Sequence, residues 1–185
     1  MSSDIMIEEI LEIPAALQSG SVIAAEVEGK LRLSLRVKSK DRTAIAKELG
    51  VTLPAKIGAT AKKSGYLSAC LGPDEWIIIA DHSKHPNLYE TALKLSSKYI
   101  MSVTDVSSRN VGLVLTGTTV TETINVGCPL DLSLDAFPVG KCTRTLFESA
   151  PILLYRSAEQ SFTVEFWRSY TPYVMGLMES HISGA

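Results

Sequence analysis

Three histidines, three cysteines and one polar run at a strand exit are the places where this sequence could do chemistry. A serine or cysteine nucleophile needs a base within hydrogen-bond reach. His82 and His85 fall in Asp81-His82-Ser83-Lys84-His85-Pro86, the composition of a solvent-exposed turn, and His181 sits beside the C-terminus. Two histidines three apart in a loop are conceivable metal ligands, yet no carboxylate or thiolate cluster completes the set. Cys70, Cys128 and Cys142 are odd in number and lack C-x-x-C spacing. That argues against a disulfide framework or a zinc site and for a reducing, cytoplasmic setting. Cys70 lies within the strand pattern Tyr66-Leu67-Ser68-Ala69-Cys70-Leu71 and reads as a small core hydrophobe, while Cys128 and Cys142 flank a loop and read as packing beneath it. Neither G-x-G-x-x-G nor a P-loop occurs, so flavin or NAD binding in this chain is not expected. The catalytic, cofactor-binding and metal residues expected of this chain are therefore none.

The polar run is Asp105-Val106-Ser107-Ser108-Arg109-Asn110. It reads either as a capped turn, with Ser and Asp side chains bonded to nearby backbone and Arg109 paired to Asp105, or as a binding surface. If the chain presents a surface to a partner, Asp105, Arg109, Asp131, Arg168 and Tyr173 are the candidate contacts.

The elements that would position these residues follow from periodicity. Residues 5–18 suggest a weak N-terminal helix ending at Gly20. Its acidic start (Asp4, Glu8, Glu9, Glu12) matches neither a signal nor a transit peptide. Leu31-Arg32-Leu33-Ser34-Leu35-Arg36-Val37 alternates with strand period, which puts Arg32 and Arg36 on a solvated face. Asp41 or Ser39 can cap a helix over residues 42–49 that stops at Gly50. Gly72-Pro73-Asp74-Glu75 is a tight turn joining a strand at 65–71 to the apolar run Trp76-Ile77-Ile78-Ile79-Ala80, which reads as a strand covered on both faces. A helix over 87–96 and a strand at 99–103 follow. From Val111 the order recurs: strand 111–115, helix 118–126 stopping at Gly127, a loop, strands, and a helix over 173–181. In that last helix Tyr173, Val174, Leu177 and Met178 make an apolar stripe after Pro172.

This order predicts an α+β fold of two tandem ferredoxin-like (split βαβ) units, with antiparallel sheets and helices on one face. Residues 1–28 would be an N-terminal arm, 29–108 the first unit and 109–185 the second. Each such unit has a bare sheet face, which is the physical reason to expect partners. At 185 residues, 45% apolar and 21% charged, the chain has an ordinary globular composition, with no apolar run long enough to cross a bilayer. A net charge of −2 provides no field for a phosphate backbone, so nucleic acid is not an expected partner.

One family ties these pieces together. The run Asp105 to Asn110, then Gly127-Cys128-Pro129-Leu130-Asp131-Leu132, Phe137-Pro138-Val139-Gly140-Lys141-Cys142, Leu153-Leu154-Tyr155-Arg156 and Phe166-Trp167-Arg168-Ser169, in that order, resembles the gamma subunit of heterotetrameric sarcosine oxidase. More distantly it resembles the aminomethyltransferase (T-protein) of the glycine cleavage system. The resemblance implies a non-catalytic subunit of an enzyme that oxidatively demethylates sarcosine to glycine, yields hydrogen peroxide and passes the one-carbon unit to tetrahydrofolate. It also implies alpha, beta and delta subunits as partners, with FAD, FMN, NAD, tetrahydrofolate and zinc carried by them. Where aminomethyltransferases place acids beside the folate amines, this chain has Ala150 and Pro151, neither of which can move a proton. The other reading is a stand-alone folate-binding or aminomethyltransferase-like module.

Overall fold

The computed structural model of the protein describes residues 16–19, 22–27 and 29–183. They fall into two compact units, each with its own antiparallel sheet. The first unit is residues 29–108 with 140–143; the second is residues 109–139 and 144–183 together with the described residues ahead of Gly29. Strands β1 (Ala16–Ser19) and β2 (Val22–Glu26) come first in the chain and belong to the second unit's sheet.

The first unit runs β3 (Lys30–Val37), α1 (Arg42–Leu49), β4 (Thr60–Lys63), β5 (Tyr66–Cys70), β6 (Glu75–Asp81), α2 (Leu88–Leu95) and β7 (Met101–Asp105). Its sheet order is β4-β5-β6-β3-β7. With β4 an added edge strand, the rest is the split βαβ order, in which the first strand lies between the third and the fourth. Leu31, Leu33, Leu35 and Val37 alternate onto one face and pack with Ile45 and Leu49 of α1 and with Leu88, Ala92 and Leu95 of α2. Each large aliphatic side chain buried there contributes roughly 1.5–3 kcal/mol, which is what commits the period-2 and period-3.6 patterns to strand and helix.

Local chemistry sets the ends of these elements. Gly50 terminates α1 in the left-handed region (φ 69°), where its N–H reaches Ala46 O and Lys47 O. Ser64 and Gly65, at φ 48° and 84°, make the tight turn between β4 and β5. The Gly72–Glu75 turn joins β5 to β6, with Leu71 N–H donating to Glu75 O at 2.8 Å. Asp41 precedes α1 as expected, but its carboxylate makes no capping bond.

The second unit runs β8 (Asn110–Gly117), α3 (Val120–Gly127), β9 (Cys142–Phe147), β10 (Ala150–Ala158), β11 (Ser161–Trp167), a 3₁₀ turn (Arg168–Tyr170) and α4 (Thr171–Ser183). The sheet order is β1-β2-β8-β11-β10-β9. The split βαβ order is again present, with one substitution: β2 pairs antiparallel with β8 where the first unit has β7 beside β3. Val111, Leu113 and Leu115 of β8, Ile152 and Leu154 of β10, and Phe162, Val164 and Phe166 of β11 meet Val120 and Ile124 of α3 and Val174, Met178 and Ile182 of α4.

Four expectations are corrected. Residues 16–19 form a strand, not the end of an N-terminal helix; residues 5–15 of that expected helix lie outside the described residues. Alanine-rich sequence favours helix on its own, but pairing with the sheet overrides propensity. Arg32 is buried (4% exposed) rather than solvated, because both faces of its sheet are covered around it, as the burial of Ile77 and Ile79 also shows. Arg36, two residues on, is exposed and pairs with Asp74 and Glu75. Tyr173 leaves the apolar stripe of α4, whose buried members are Val174, Met178 and Ile182.

Gly127 was expected to lie just past its helix, yet it is the last helical residue and has another role. A Cβ there would lie 2.8 Å from Cε2 of Phe147, a fully buried ring that stacks edge-on against His181 at 5.5 Å. Helix propensity favours alanine by about 1 kcal/mol, whereas forcing a packed ring aside costs roughly 1–3 kcal/mol. Gly127→Ala is therefore expected to lower stability by up to about 2 kcal/mol in urea unfolding, the ring's displacement offsetting the gain in helix propensity. A variant more stable than the parent by the full propensity gain of about 1 kcal/mol would contradict the close approach.

Candidate functional site

The segment at which the resemblance implies an acid beside a folate is the hairpin between β9 and β10. Here it is a two-residue turn, Glu148-Ser149, with Glu148 at φ 50° and its N–H donating to Gly127 O at 2.6 Å. Ala150 is fully buried in the second unit's core and Pro151 is exposed. An acid at 150 would be desolvated among apolar side chains, and residue 151 is an imino-acid ring with no proton to give. Glu148 is exposed at the turn. The residues at these positions do not fit a pteridine amine.

The loop that follows α3 is tied down by Arg156 at Leu132 and Phe137. Its guanidinium is buried: Nη1 donates to Leu132 O (2.7 Å) and Phe137 O (3.0 Å), Nη2 donates to Glu159 O (2.6 Å), and the group lies 4.8 Å from the Phe162 ring. Phe137 stacks on Phe162 at 6.3 Å. Sequence reasoning used Arg156 only as a family marker; an arginine at an inward position of a core strand was the signal for this role. The matching loop of the first unit is held by neutral groups. Trp76 Nε1 donates to Pro54 O (2.8 Å), Thr52 N–H donates to the Tyr66 hydroxyl (2.8 Å), and Ser68 Oγ donates to Thr52 O.

The candidate contacts separate into three places. Asp105 accepts from Ser107 N–H (2.8 Å) and Oγ (2.5 Å), and Ser107 Oγ accepts from Arg32 N–H (2.8 Å), so the capped-turn reading describes it. The expected Asp105–Arg109 pair is corrected: Arg109 Nε donates to Asn110 Oδ1 (3.1 Å) and its guanidinium sits 5.3 Å from the Trp167 ring centre. Asp131 caps its own loop, accepting from Ser133 N–H at 2.8 Å, and that bond holds its carboxyl below the usual range. Arg168 N–H donates to Arg109 O (2.7 Å), which joins the ends of β8 and β11. The structure thus brings Arg109 and Arg168 together, adds Trp167 and Tyr170, whose rings are 6.5 Å apart, and places exposed Tyr173 on the helix that follows. Trp167 and Tyr170 were missed as site residues; their place beside Arg109 depends on the β8–β11 register, in which Trp167 pairs with Asn110.

His85 Nε2 lies 2.8 Å from Ser64 O, and its ring meets Tyr66 edge-on at 5.7 Å. All three cysteines are buried, and burial pushes the Cys70 thiol up. Among the described residues no helix is long and apolar enough to cross a membrane.

The sequence model of the sarcosine oxidase, gamma subunit family matches residues 38–182. The chain is 30% identical to sarcosine oxidase subunit gamma of Corynebacterium sp. (strain U-96), over 95% of this chain and 92% of the relative. It is likewise 30% identical to sarcosine oxidase subunit gamma of an Arthrobacter species, over 79% and 72% of the two chains. Its structure superposes on a chain of the heterotetrameric sarcosine oxidase from Corynebacterium sp. U-96 with a TM-score of 0.82, 29% identity and coverage of 91% and 87%. Aminomethyltransferase T of the glycine cleavage system from Bartonella henselae shares the fold, at TM-score 0.67 and 12% identity, over 88% of this chain and 47% of that one.

Proposed function

The chain belongs to the sarcosine oxidase gamma subunit family, and from that membership we propose that it acts as the non-catalytic gamma subunit of a heterotetrameric, folate-linked flavin oxidase that demethylates sarcosine to glycine in the cytoplasm. In this reading the alpha, beta and delta subunits carry FAD, FMN, NAD, tetrahydrofolate and zinc, and this chain supports their assembly. The observation that carries the non-catalytic role is Ala150, fully buried at the position where the resemblance to aminomethyltransferases implies an acid. With a methyl group at that position and Pro151 beside it, the chain has no proton carrier there for methylene transfer.

Two measurements test the proposal. Calorimetric titration of the isolated chain with tetrahydrofolate is expected to show no saturable binding at micromolar concentrations. Co-expression with the other subunits is expected to yield a complex that releases hydrogen peroxide from sarcosine. Micromolar folate affinity in the isolated chain would instead favour a stand-alone folate module.

A further inference from the structure

We propose that the exposed surface formed by Arg109, Trp167, Pro172 and Tyr173 is the contact by which a neighbouring subunit holds this chain, and that it receives a polypeptide segment bearing a carboxylate beside an apolar side chain. This rests on the family reading above and names the partner-facing site within it.

The surface is built rather than incidental. Trp167 is 49% exposed and Tyr173 is 43% exposed, and Pro172 between them in sequence is exposed too. Large apolar groups in solvent are ordinary when scattered, but here the Arg109 guanidinium lies 5.3 Å from the Trp167 ring centre, within cation–π range. Arg109 Nε is taken by Asn110 Oδ1, and the Arg109 carbonyl is taken by Arg168 N–H. Tyr170, packed partly against the core, lies beside Trp167. The side chains are thus held in place before any partner arrives, so little rotamer freedom is left to lose on association.

Among the described residues, the two Nη donors of Arg109 have no hydrogen-bond partner. With Nε bonded to Asn110 Oδ1, the two remaining Nη groups suit the two oxygens of a carboxylate. A small free anion would meet one arginine in open solvent and gain little. The Trp167, Pro172 and Tyr173 surfaces call for an apolar group next to the acid. Tryptophan, tyrosine and arginine are the residues that dominate the energetics of protein contacts, which fits a polypeptide occupant.

The test uses the full chain co-expressed with the large oxidase subunits, in four forms: wild type, Trp167→Ala, Arg109→Glu and Arg109→Gln. Arg36→Ala, on the exposed Arg36–Asp74 pair of the other unit, is the control. Assembly is read by size-exclusion chromatography and by a dissociation constant measured on the purified chain and partners. Trp167→Ala and Arg109→Glu are expected to weaken assembly about 30-fold or more, Arg109→Gln by less, and the control not at all. All the isolated variants should melt within about 2 °C of wild type, since the altered side chains are exposed. Wild-type affinity in both Trp167→Ala and Arg109→Glu would overturn the assignment. So would an isolated wild-type chain that pairs with itself and is made monomeric by Trp167→Ala. Failure of the wild-type chain itself to join the large subunits would remove the family-based function along with this inference, whereas assembly indifferent to these variants would remove only the inference.

Discussion

Arg156→Met is expected to destabilise the protein by about 3–5 kcal/mol, an effect large enough to abolish most of the stability of a domain this size. Methionine nearly preserves the volume beside Phe162, so a cavity is not the cause. The loss comes from the carbonyls of Leu132, Phe137 and Glu159, which give up their charged donor; the first two are buried with it. A charge-assisted bond contributes roughly 1.5–3 kcal/mol, and each stranded buried carbonyl adds a desolvation penalty of the same order. Arg156→Lys should recover only part of this, because one ammonium cannot span three acceptors that a planar fork reaches together. Urea unfolding gives the magnitude, and amide hydrogen exchange should show residues 128–141 losing protection first. A methionine variant within 1 kcal/mol of the parent would mean the loop is held by its own apolar contacts.

Trp76→Ala carries the second large effect, an expected loss of about 3–5 kcal/mol in the first unit. The indole is buried against the β3 and helix side chains, and its N–H satisfies the Pro54 carbonyl at 2.8 Å. Trp76→Phe separates the two contributions. It keeps most of the apolar contact and forfeits the hydrogen bond, so it should cost about 1–2 kcal/mol. The protein has only two tryptophans, and Trp167 is half exposed, so blue-shifted emission in the parent comes from Trp76 and vanishes in both variants. Equal losses for Ala and Phe would place the whole effect in the hydrogen bond and contradict the packing account.

These two side chains also mark where the sequence was readable and where it was not. The alternation in Leu31 to Val37, the apolar run from Trp76 to Ala80 and the Gly72-Pro73 turn have one structural solution each, and the sheet and hairpin follow them. Edge strand β4, with Ala61, Lys62 and Lys63, carries no apolar period because none of its residues is buried on either face. The strand at Val22–Glu26 was hidden for a different reason. Its identity is set by β8, a partner far along the chain, and local propensity holds no record of that pairing. At the candidate site, the role of Asp105 as a turn residue could be read by position alone, whereas Asp131, expected as a contact, proves to cap its own loop. The Arg109–Trp167 contact could not be read so, since it depends on a cross-strand register that apolar alternation leaves undetermined to within a slip of two residues. Arg32 shows the same limit from the other side: alternation reveals that a strand has two faces, not that both are covered.

The placement of β2 has a consequence for how the polypeptide is made. Synthesis delivers this strand before its neighbour β8 exists, and all of residues 29–108 must leave the ribosome in the interval. The earlier-completed unit has its four split-βαβ strands within one continuous stretch and can close cotranslationally, while the Val22 and Ala24 side chains wait without their core partners and the β2 edge that will pair with β8 stays open. Closure of the later unit thus depends on contacts of very high sequence separation, the kind that slows folding, and a nascent chain halted anywhere before residue 110 carries an orphan β-edge for chaperones to shield.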